Sequence, residues 1–287
     1  MRTGRRALEL SSLRRSLHKV GVFLPLLVFM VWTLLPLVWS LSASFKPVLE
    51  LWRAPPTLIP RQFTWQNYIN VFQFQYFWTV LMNSVYLALA STVITVAVST
   101  LAGYSFARFT FPFKHVLLLA ILVPRIIPRA ALVVPLYRMF SAVGLLDTYT
   151  VLIISYAASA IPMSTWILSG FFESIPRSIE ESARLDGARL PAIMTRILLP
   201  MALPGLITVI IVSTVMAWNE FPFVLAFTTS ARMRTLPYQL FLMLDSLGLT
   251  DWSLMNAFTM VTVIPIVVVF LIFQRRVVKG LVGGAVK

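Results

Sequence analysis

Residues 180–200, EESARLDGARLPAIMTRILLP, form a charged segment in a chain that is otherwise strongly apolar. The segment follows one long apolar run and leads directly into another. Hydrophobic residues make up 59% of the 287 residues, whereas about 45–50% is usual in a soluble domain. We therefore predict a membrane protein in which this segment connects two membrane spans.

Six apolar runs are long enough for a helix to cross the hydrocarbon core, which takes about 20 residues. They cover residues 20–41, 82–107, 115–136, 149–172, 203–227 and 254–273. The first run is too long for the apolar region of a cleaved signal peptide, so we expect an uncleaved anchor. The predicted fold class is an all-α membrane protein with six transmembrane helices.

Positive charge is distributed unevenly among the predicted connections. Of the 24 Lys and Arg residues, six lie in residues 1–19, and others follow the second, fourth and sixth runs. Because Lys and Arg accumulate in cytoplasmic loops, we predict that the N- and C-termini are cytoplasmic. The net charge of +14 suits anionic membrane lipid beside the spans, and we expect no nucleic-acid partner.

Proline occurs inside nearly every predicted span. It lacks an N–H donor and bends a helix, which a membrane tolerates only where neighbours or water bind the freed carbonyls. The pattern favours a protein that moves or lines a pathway. The positions are Pro25, Pro36, Pro124, Pro128, Pro135, Pro162, Pro204, Pro222 and Pro265.

The first half of the charged segment predicts a short helix. Ser178 and Glu181 have the spacing of a capping box, in which Ser178 would be the N-cap. Glu180 precedes Arg184 by four residues, a spacing that permits an ion pair on one helix face. We expect Gly187 to end this helix.

The second half predicts another helix, and the two together offer a surface. Pro191 can begin the second helix. Ile175, Ile179 and Ala183 share one face of the first helix, with Gly187 one turn beyond, which would leave small residues for another protein to approach. From the residues alone, a docking surface and a solvated connector with ordinary helix ends are both open.

The same segment resembles the EAA loop of ATP-binding-cassette (ABC) importer permeases. The matching residues are Glu181, Ala183, Asp186, Gly187, Ile197, Leu199 and Pro200. In that family the loop forms a coupling helix that inserts into a cleft of the cytoplasmic ATPase subunit. The resemblance implies ATPase coupling by Glu180, Glu181, Ala183, Asp186, Gly187 and Ala188. Ser182 replaces the second alanine of the motif, and we expect this similarly small residue to be tolerated.

Other stretches extend the resemblance over most of the chain, namely "NSVYLALASTVITVAVSTLAGYSFARFTFPFK", "PLYRMFSAVGLLDTY", "AWNEFPFVLAF" and "FQRRVVKGLVGGAVK". They look most like the second permease subunit of maltose-type systems, in the carbohydrate-uptake branch. The resemblance implies the six-helix type I importer permease fold. Its parts would be a tail at 1–19, a first helix at 20–41, an extracytoplasmic segment at 42–81, a five-helix core at 82–275 containing the coupling loop 172–202, and a tail at 276–287.

The resemblance also implies the protein's partners. They are a sister permease in a heterodimer, two copies of a cytoplasmic ATPase subunit that binds ATP and Mg, and an extracytoplasmic substrate-binding protein. The location would be the bacterial cytoplasmic (inner) membrane. This chain has no Gly-rich phosphate loop with the required spacing before Lys, so we expect no cofactor in it. With no cysteine and only the isolated His18 and His115, we predict neither a metal site nor an enzyme.

Trp218, Asn219 and Glu220 in the fifth run are candidates for the substrate pathway. A carboxylate within a membrane span is a functional candidate by default. An aromatic ring beside hydrogen-bonding groups is a combination that binds a sugar ring and its hydroxyls. The alternative is that Glu220 lies at the outer rim of the membrane and is simply solvated.

Arg125 and Arg129 in the third run are further candidates, and family members usually keep this span neutral. A continuous helix would place them one turn apart on one face, where exposure to lipid would cost about 2.5–3.5 kcal/mol each. They could pair with Glu220 or with the sister subunit. Alternatively, they could line the pathway and favour an anionic or strongly hydroxylated substrate.

We therefore predict the permease subunit of an ATP-driven importer for a sugar or sugar derivative. One alternative is a secondary transporter driven by an ion gradient, which would require embedded ionisable residues and usually an internal repeat. Glu220 is the one candidate acid, and no repeat is evident. Another alternative is an ABC importer permease for an anionic non-sugar substrate. A membrane scaffold or receptor would leave the charged segment and the prolines unexplained.

Overall fold

The computed structural model is helical, and it has no β-strand within residues 2–244 and 250–285, the residues that it describes. Side chains are described for residues 21–244 and 250–272, so those of the predicted tails 1–19 and 276–287, with His18, lie outside them. The helices are α1 (Arg2–Ser44), α2 (Val48–Leu51), α3 (Gln66–Gln73), α4 (Phe77–Arg108), α5 (Lys114–Leu122), α6 (Arg129–Ala142), α7 (Tyr149–Ser174), α8 (Arg177–Leu185), α9 (Leu190–Ile193), α10 (Leu199–Met201), α11 (Leu203–Trp218), α12 (Pro222–Phe227), α13 (Leu236–Leu242) and α14 (Trp252–Ala285). Short 3₁₀ turns cover Val123–Arg125 and Ala231–Met233, and a π-helical turn covers Met194–Leu198.

In the described part of the chain, four helices are long and apolar enough to cross a membrane alone. They are Gly21–Ser44, Phe77–Arg108, Tyr149–Ser174 and Trp252–Ile272. Two bent pairs bring the number of candidate spans to six if each pair is counted as one: Lys114–Arg125 with Arg129–Ala142, and Leu190–Met201 with Leu203–Trp218. The all-α membrane fold is thus confirmed. Within the runs 115–136 and 203–227 the helix is interrupted, in line with the distortion that the prolines predict.

Prolines account for the two bends. The bend of 95° before α6 includes Pro124 in the 3₁₀ turn and Pro128 at the N-cap of α6. The bend of 78° before α11 is followed by Pro204 in the first turn of α11. Proline lacks the N–H donor that a helix needs at its interior positions, which favours a break in the helix at these places. Pro162, in contrast, lies inside the continuous helix α7.

Helices α4, α7 and α11 pack against one another in the compact unit formed by Phe72–Gly248 and Val261–Lys287. Gly103 permits the close approach of α4 to α7. A Cβ atom at Gly103 would lie 2.9 Å from the Leu168 Cβ atom and 3.0 Å from the Ser169 backbone nitrogen. Any larger residue would therefore push the two helices apart.

A hydrophobic cluster continues this packing into the charged segment. Tyr104 and Ala107 of α4, Phe172 of α7 and Ala183 of α8 are all buried in it. Its other buried members are Leu168, Ile175, Ile193, Leu198, Ala202 and Val209. The segment that the sequence marks as polar is therefore fixed to the bundle by an apolar inner face.

The other compact unit, Met1–Val71 with Leu249–Met260, contains α1 and the connection that follows it. The Glu50 carboxylate organises this connection. It accepts hydrogen bonds from the backbone N–H groups of Arg61 at 2.8 Å and Gln62 at 3.1 Å, and from the Thr57 hydroxyl at 3.2 Å. Burial raises the pKa of Glu50, but these hydrogen bonds favour the carboxylate and leave the pKa below its ordinary value. The connection is thus an ordered structure.

Candidate functional site

Helix α8 begins earlier than the sequence predicts. Pro176 occupies the N-cap and forms no side-chain capping bond, and Ser178 lies one residue inside the helix. The predicted capping box with Ser178 at the N-cap is therefore wrong. The fixed backbone angle of proline and its missing N–H suit a helix start, where N–H groups have no partner in the helix.

The end of α8 is as predicted. Gly187 has a φ of 81°, in the left-handed region that glycine adopts without strain. Its N–H group donates to the Arg184 carbonyl at 3.0 Å, and the Ala188 N–H group donates to the Ala183 carbonyl at 2.9 Å. This pair of bonds is a Schellman motif. Pro191 lies in the first turn of α9, which confirms the second predicted start.

The face of α8 that carries the small residues points inward. Ile175 and Ala183 are buried in the cluster described above, and Ile179 packs against it. Of the two alternatives left open, a docking surface formed by these small residues is not supported, because the chain covers this face itself. The outward face carries Glu181, Ser182, Leu185 and Asp186, and Leu185 is 89% exposed.

Glu180 is the buried acidic residue of α8. Its carboxylate forms an ion pair with the Arg108 Nε group, and its second oxygen accepts a hydrogen bond from the Tyr104 hydroxyl at 3.2 Å. The Arg108 Nη2 group donates to the Ile175 carbonyl at 3.0 Å. The side chains of Arg108 and Glu180 are each only 6% exposed. The cation paired with Glu180 is thus Arg108, and the predicted pairing with Arg184 is wrong.

Arg108 and Tyr104 are functional candidates that sequence reasoning missed. Arg108 and Glu180 are separated by 72 positions, so no local spacing relates them. Arg108 ends α4, where a cation is explained by the helix dipole and by the positive-inside rule. The sequence feature that could have indicated a distant partner was the position of Glu180 beside an apolar helix face, since a buried carboxylate requires a partner.

Glu220 lies at a break between α11 and α12. Its carboxylate pairs with the Arg129 Nη1 group at the start of α6 and accepts the Phe223 N–H group of α12 at 3.3 Å. The Glu220 side chain is 2% exposed, whereas that of Arg129 is 39% exposed. The alternative of a solvated Glu220 is therefore wrong. The alternative that pairs an arginine of the third run with Glu220 is confirmed for Arg129.

Of the remaining pathway candidates, Trp218 is buried like Glu220, whereas Asn219 and Arg125 are exposed. Trp218 is buried, and its indole Nε1 group has no hydrogen-bond partner among the described residues. Asn219 is exposed and donates to the Val215 carbonyl at 2.8 Å. The bend described above places Arg125 in the 3₁₀ turn with an exposed side chain, so the prediction of one helical face shared with Arg129 is wrong.

One further polar group lies in this region. The hydroxyl of Tyr156 in α7 is buried without a hydrogen-bond partner among the described residues, and it lies within range of the charge of Glu220. We call Arg129, Tyr156, Trp218 and Glu220 the Glu220 site, and Tyr104, Arg108, Ile175 and Glu180 the Glu180 junction. The Glu220 site has buried hydrogen-bonding groups without partners among the described residues, while the Glu180 junction has its charges paired.

Comparisons with known proteins agree with this architecture. A family model described as "Binding-protein-dependent transport system inner membrane component" matches residues 99–283. The trehalose transport system permease protein SugB of Mycobacterium tuberculosis is 37% identical over 89% of this chain and 93% of its own. The sulfoquinovosyl glycerol transport system permease protein SmoH of Agrobacterium fabrum is 34% identical over 92% of this chain and 93% of its own.

A solved structure supports the fold. The crystal structure of a bacterial ABC transporter involved in the import of the acidic polysaccharide alginate has a chain that matches with a TM-score of 0.79 and 19% identity. The match covers 90% of this chain and 96% of that one. The chain belongs to the binding-protein-dependent transport system inner membrane components, the permease subunits of ABC importers.

Proposed function

We propose that this chain translocates a sugar or sugar derivative that an extracytoplasmic binding protein delivers. The substrate class is supported by relatives named for trehalose and for sulfoquinovosyl glycerol. The chain acts in a heterodimer with a sister permease in the membrane, together with two copies of an ATPase subunit. ATP and Mg are bound by the ATPase, so this chain is not itself an enzyme and carries no cofactor.

The exposed face of α8 is the observation that supports coupling to the ATPase. Leu185 offers an apolar contact, and exposed carboxylates lie on either side of it in the sequence, Glu181 within α8 and Asp186 at its C-cap. An apolar side chain between two carboxylates suits a cleft that is apolar inside and basic at its rim. Gly187 and Ala188 turn the chain away after α8. Glu180 and Ala183 are both buried, so they support the coupling from the inner face of α8.

ATP binding closes the ATPase subunits and moves α8, and the spans then alternate between inward-facing and outward-facing access. The coupling requires that the closed ATPase prefer one permease state, since a partner with equal affinity for both states shifts neither. The candidate pathway residues are Trp218, Asn219, Glu220, Arg125 and Arg129. Because Arg129 is paired with Glu220, this cation already has a counter-charge and does not by itself favour an anionic substrate.

Co-purification from the native membrane tests the proposal. We expect the wild-type chain to bring a second permease and an ATPase subunit with vanadate-sensitive activity. Glu181→Lys should lose the ATPase or its stimulation by the binding protein. Glu173→Lys is the matched control, because the Glu173 side chain is 52% exposed at the end of α7, outside α8.

Two outcomes would contradict the proposal. If the wild-type chain brings no ATPase under conditions that preserve membrane complexes, the importer assignment fails for this chain and transport driven by an ion gradient becomes the leading hypothesis. If both substitutions remove the ATPase equally, the exposed face of α8 has no special role.

A further inference from the structure

Arg108 occupies a junction of three helices. It is the last residue of α4, its Nη2 group binds the Ile175 carbonyl at the end of α7, and its Nε group binds Glu180 in α8. Tyr104, one turn earlier in α4, binds the second oxygen of Glu180. Two side chains of α4 therefore hold one carboxylate of α8.

The junction rests on a closely packed pair of helices. Gly103 lies beside Tyr104 and brings α4 against α7 at Leu168. The apolar cluster of Tyr104, Phe172 and Ala183 fills the space between the three helices. A displacement of α8 alone would separate a buried ion pair, which is costly in a low-dielectric environment. A joint displacement of α8 with α4 and the end of α7 would keep it intact.

We propose that Arg108 and Glu180 are positioning residues that make α8 move as one body with α4 and the end of α7. The inference rests on the proposed ATPase coupling and adds the path by which movement of α8 reaches the spans. Neither residue touches the ATPase, because both side chains are buried within the chain. Their role is to transmit movement, while the exposed face of α8 makes the contact.

The test is a double-mutant cycle in proteoliposomes that contain the complete importer. Arg108→Gln, Glu180→Gln and the double variant are compared for substrate transported per ATP hydrolysed and for ATPase retained on purification. Each single variant leaves one buried charge unpaired, whereas the double variant restores a neutral pair of similar size. Lys114→Gln and Glu173→Gln are the matched controls, because that pair also links two helices but at 3.9 Å and with greater exposure.

We expect each single variant to retain the ATPase and to lower transport per ATP about tenfold, with the double variant recovering most of the loss. The control variants should change neither quantity. The proposal is overturned if the single variants transport with wild-type efficiency. It is also overturned if they lose ATPase and transport in parallel and the double variant recovers neither. Failure of the proposed function is distinguishable, because the wild-type complex would then show no ATP-dependent transport.

A spin-label measurement keeps the proposal testable where a variant does not assemble with its ATPase. The chain has no native cysteine, so Ser182→Cys in α8 and Glu173→Cys at the end of α7 can be labelled selectively. The distribution of distances between the labels should be narrow in the otherwise unchanged chain and broader with Arg108→Gln. An equally narrow distribution in both would show that α8 is held without Arg108 and would overturn the proposal.

Discussion

Two buried carboxylates of this permease subunit are paired with arginine in different ways. At the Glu180 junction both members of the ion pair are 6% exposed, and Tyr104 binds the second carboxylate oxygen. At the Glu220 site the carboxylate is 2% exposed, but Arg129 is 39% exposed. The hydroxyl of Tyr156 has no partner there among the described residues. One site is closed and paired, while the other is partly open and has hydrogen-bonding capacity to spare.

The difference separates a fixed connection from a site that can change partners. A buried pair with its hydrogen bonds made is costly to separate, so the helices that it joins remain together. An arginine that is only partly buried can turn to another polar group when its partner is removed, and unpartnered polar groups can bind a hydroxyl that arrives later. The Glu180 junction is thus suited to transmit force, and the Glu220 site is suited to respond to substrate.

The largest expected contrast is between Glu180→Ala and Glu220→Ala. Glu180→Ala leaves the charge of Arg108 buried, which should lower the free energy of unfolding by about 3–5 kcal/mol. Glu220→Ala leaves the partly exposed Arg129 free to turn to another polar group, so the loss should be smaller, about 1–3 kcal/mol. Unfolding of the purified chain by titrated denaturing detergent measures both. Equal losses would contradict the distinction between a closed and an open site.

A pair of glycine substitutions tests the close packing behind the Glu180 junction. Gly103→Ala would bring a Cβ atom to 2.9 Å from Leu168, and the resulting overpacking should cost about 1–3 kcal/mol. Gly170→Ala in α7 meets no atom within 4 Å, and alanine favours a helix over glycine by about 1 kcal/mol. The same detergent titration should show opposite signs. A neutral Gly103→Ala variant would show that α4 and α7 can separate freely.

Tyr156→Phe sharpens the comparison at the Glu220 site. Removing a hydroxyl without a partner should leave the free energy of unfolding within about 1 kcal/mol of wild type or raise it. Transport should nevertheless fall several-fold if the hydroxyl binds a sugar hydroxyl during the cycle. Tyr149→Phe is the matched control, because its hydroxyl donates to the Asn83 Oδ1 atom at 2.7 Å and its loss should reduce stability. Unchanged transport in Tyr156→Phe would remove Tyr156 from the pathway.

The apolar runs alone predicted the all-α membrane fold, because length and hydropathy are properties of a local stretch. Gly187 and Pro191 were also correctly placed at a helix end and a helix start, since their backbone restrictions act within one turn. The bends were only partly predictable. Pro124 and Pro128 indicated distortion, but Pro162 lies in an unbroken helix, and the surroundings of each proline decide between these outcomes.

The candidate sites were less predictable, because they depend on contacts between distant residues. Glu220 was recognised as an acid in a membrane run, and its pairing with Arg129 was one stated alternative. The partner of Glu180 was assigned to the nearby Arg184, because helical spacing is visible in a sequence and tertiary contact is not. An outward position of Ala183 was one of two open alternatives for the same reason. A small residue suits close contact with another protein or with the chain's own core equally well.

Asp147, outside the candidate spans, extends the comparison to a carboxylate with mainly backbone partners. It accepts the N–H groups of Thr229 at 3.0 Å and Ser230 at 3.1 Å, and the Ser230 hydroxyl at 2.9 Å. Burial raises the pKa of Asp147, but the Ser230 hydroxyl and these N–H groups outweigh it and leave the pKa below its ordinary value. Asp147 therefore resembles the closed Glu180 junction in having its carboxylate satisfied.

The lowered pKa of Asp147 predicts the smallest effect and its pH dependence. Because the folded-state pKa is below the unfolded value of about 3.9, the stabilisation is complete above that value and is lost as the pH falls through the folded-state pKa. Asp147→Asn should cost about 1 kcal/mol at neutral pH and should reduce the loss of stability on acidification. Proteolysis of the Thr228–Ser230 connection at neutral and acid pH measures both, with Asp251→Asn as the control. An unaltered pH profile in Asp147→Asn would show that this carboxylate does not hold the connection. A carboxylate with all its hydrogen bonds made would then not be enough to fix the backbone that it binds.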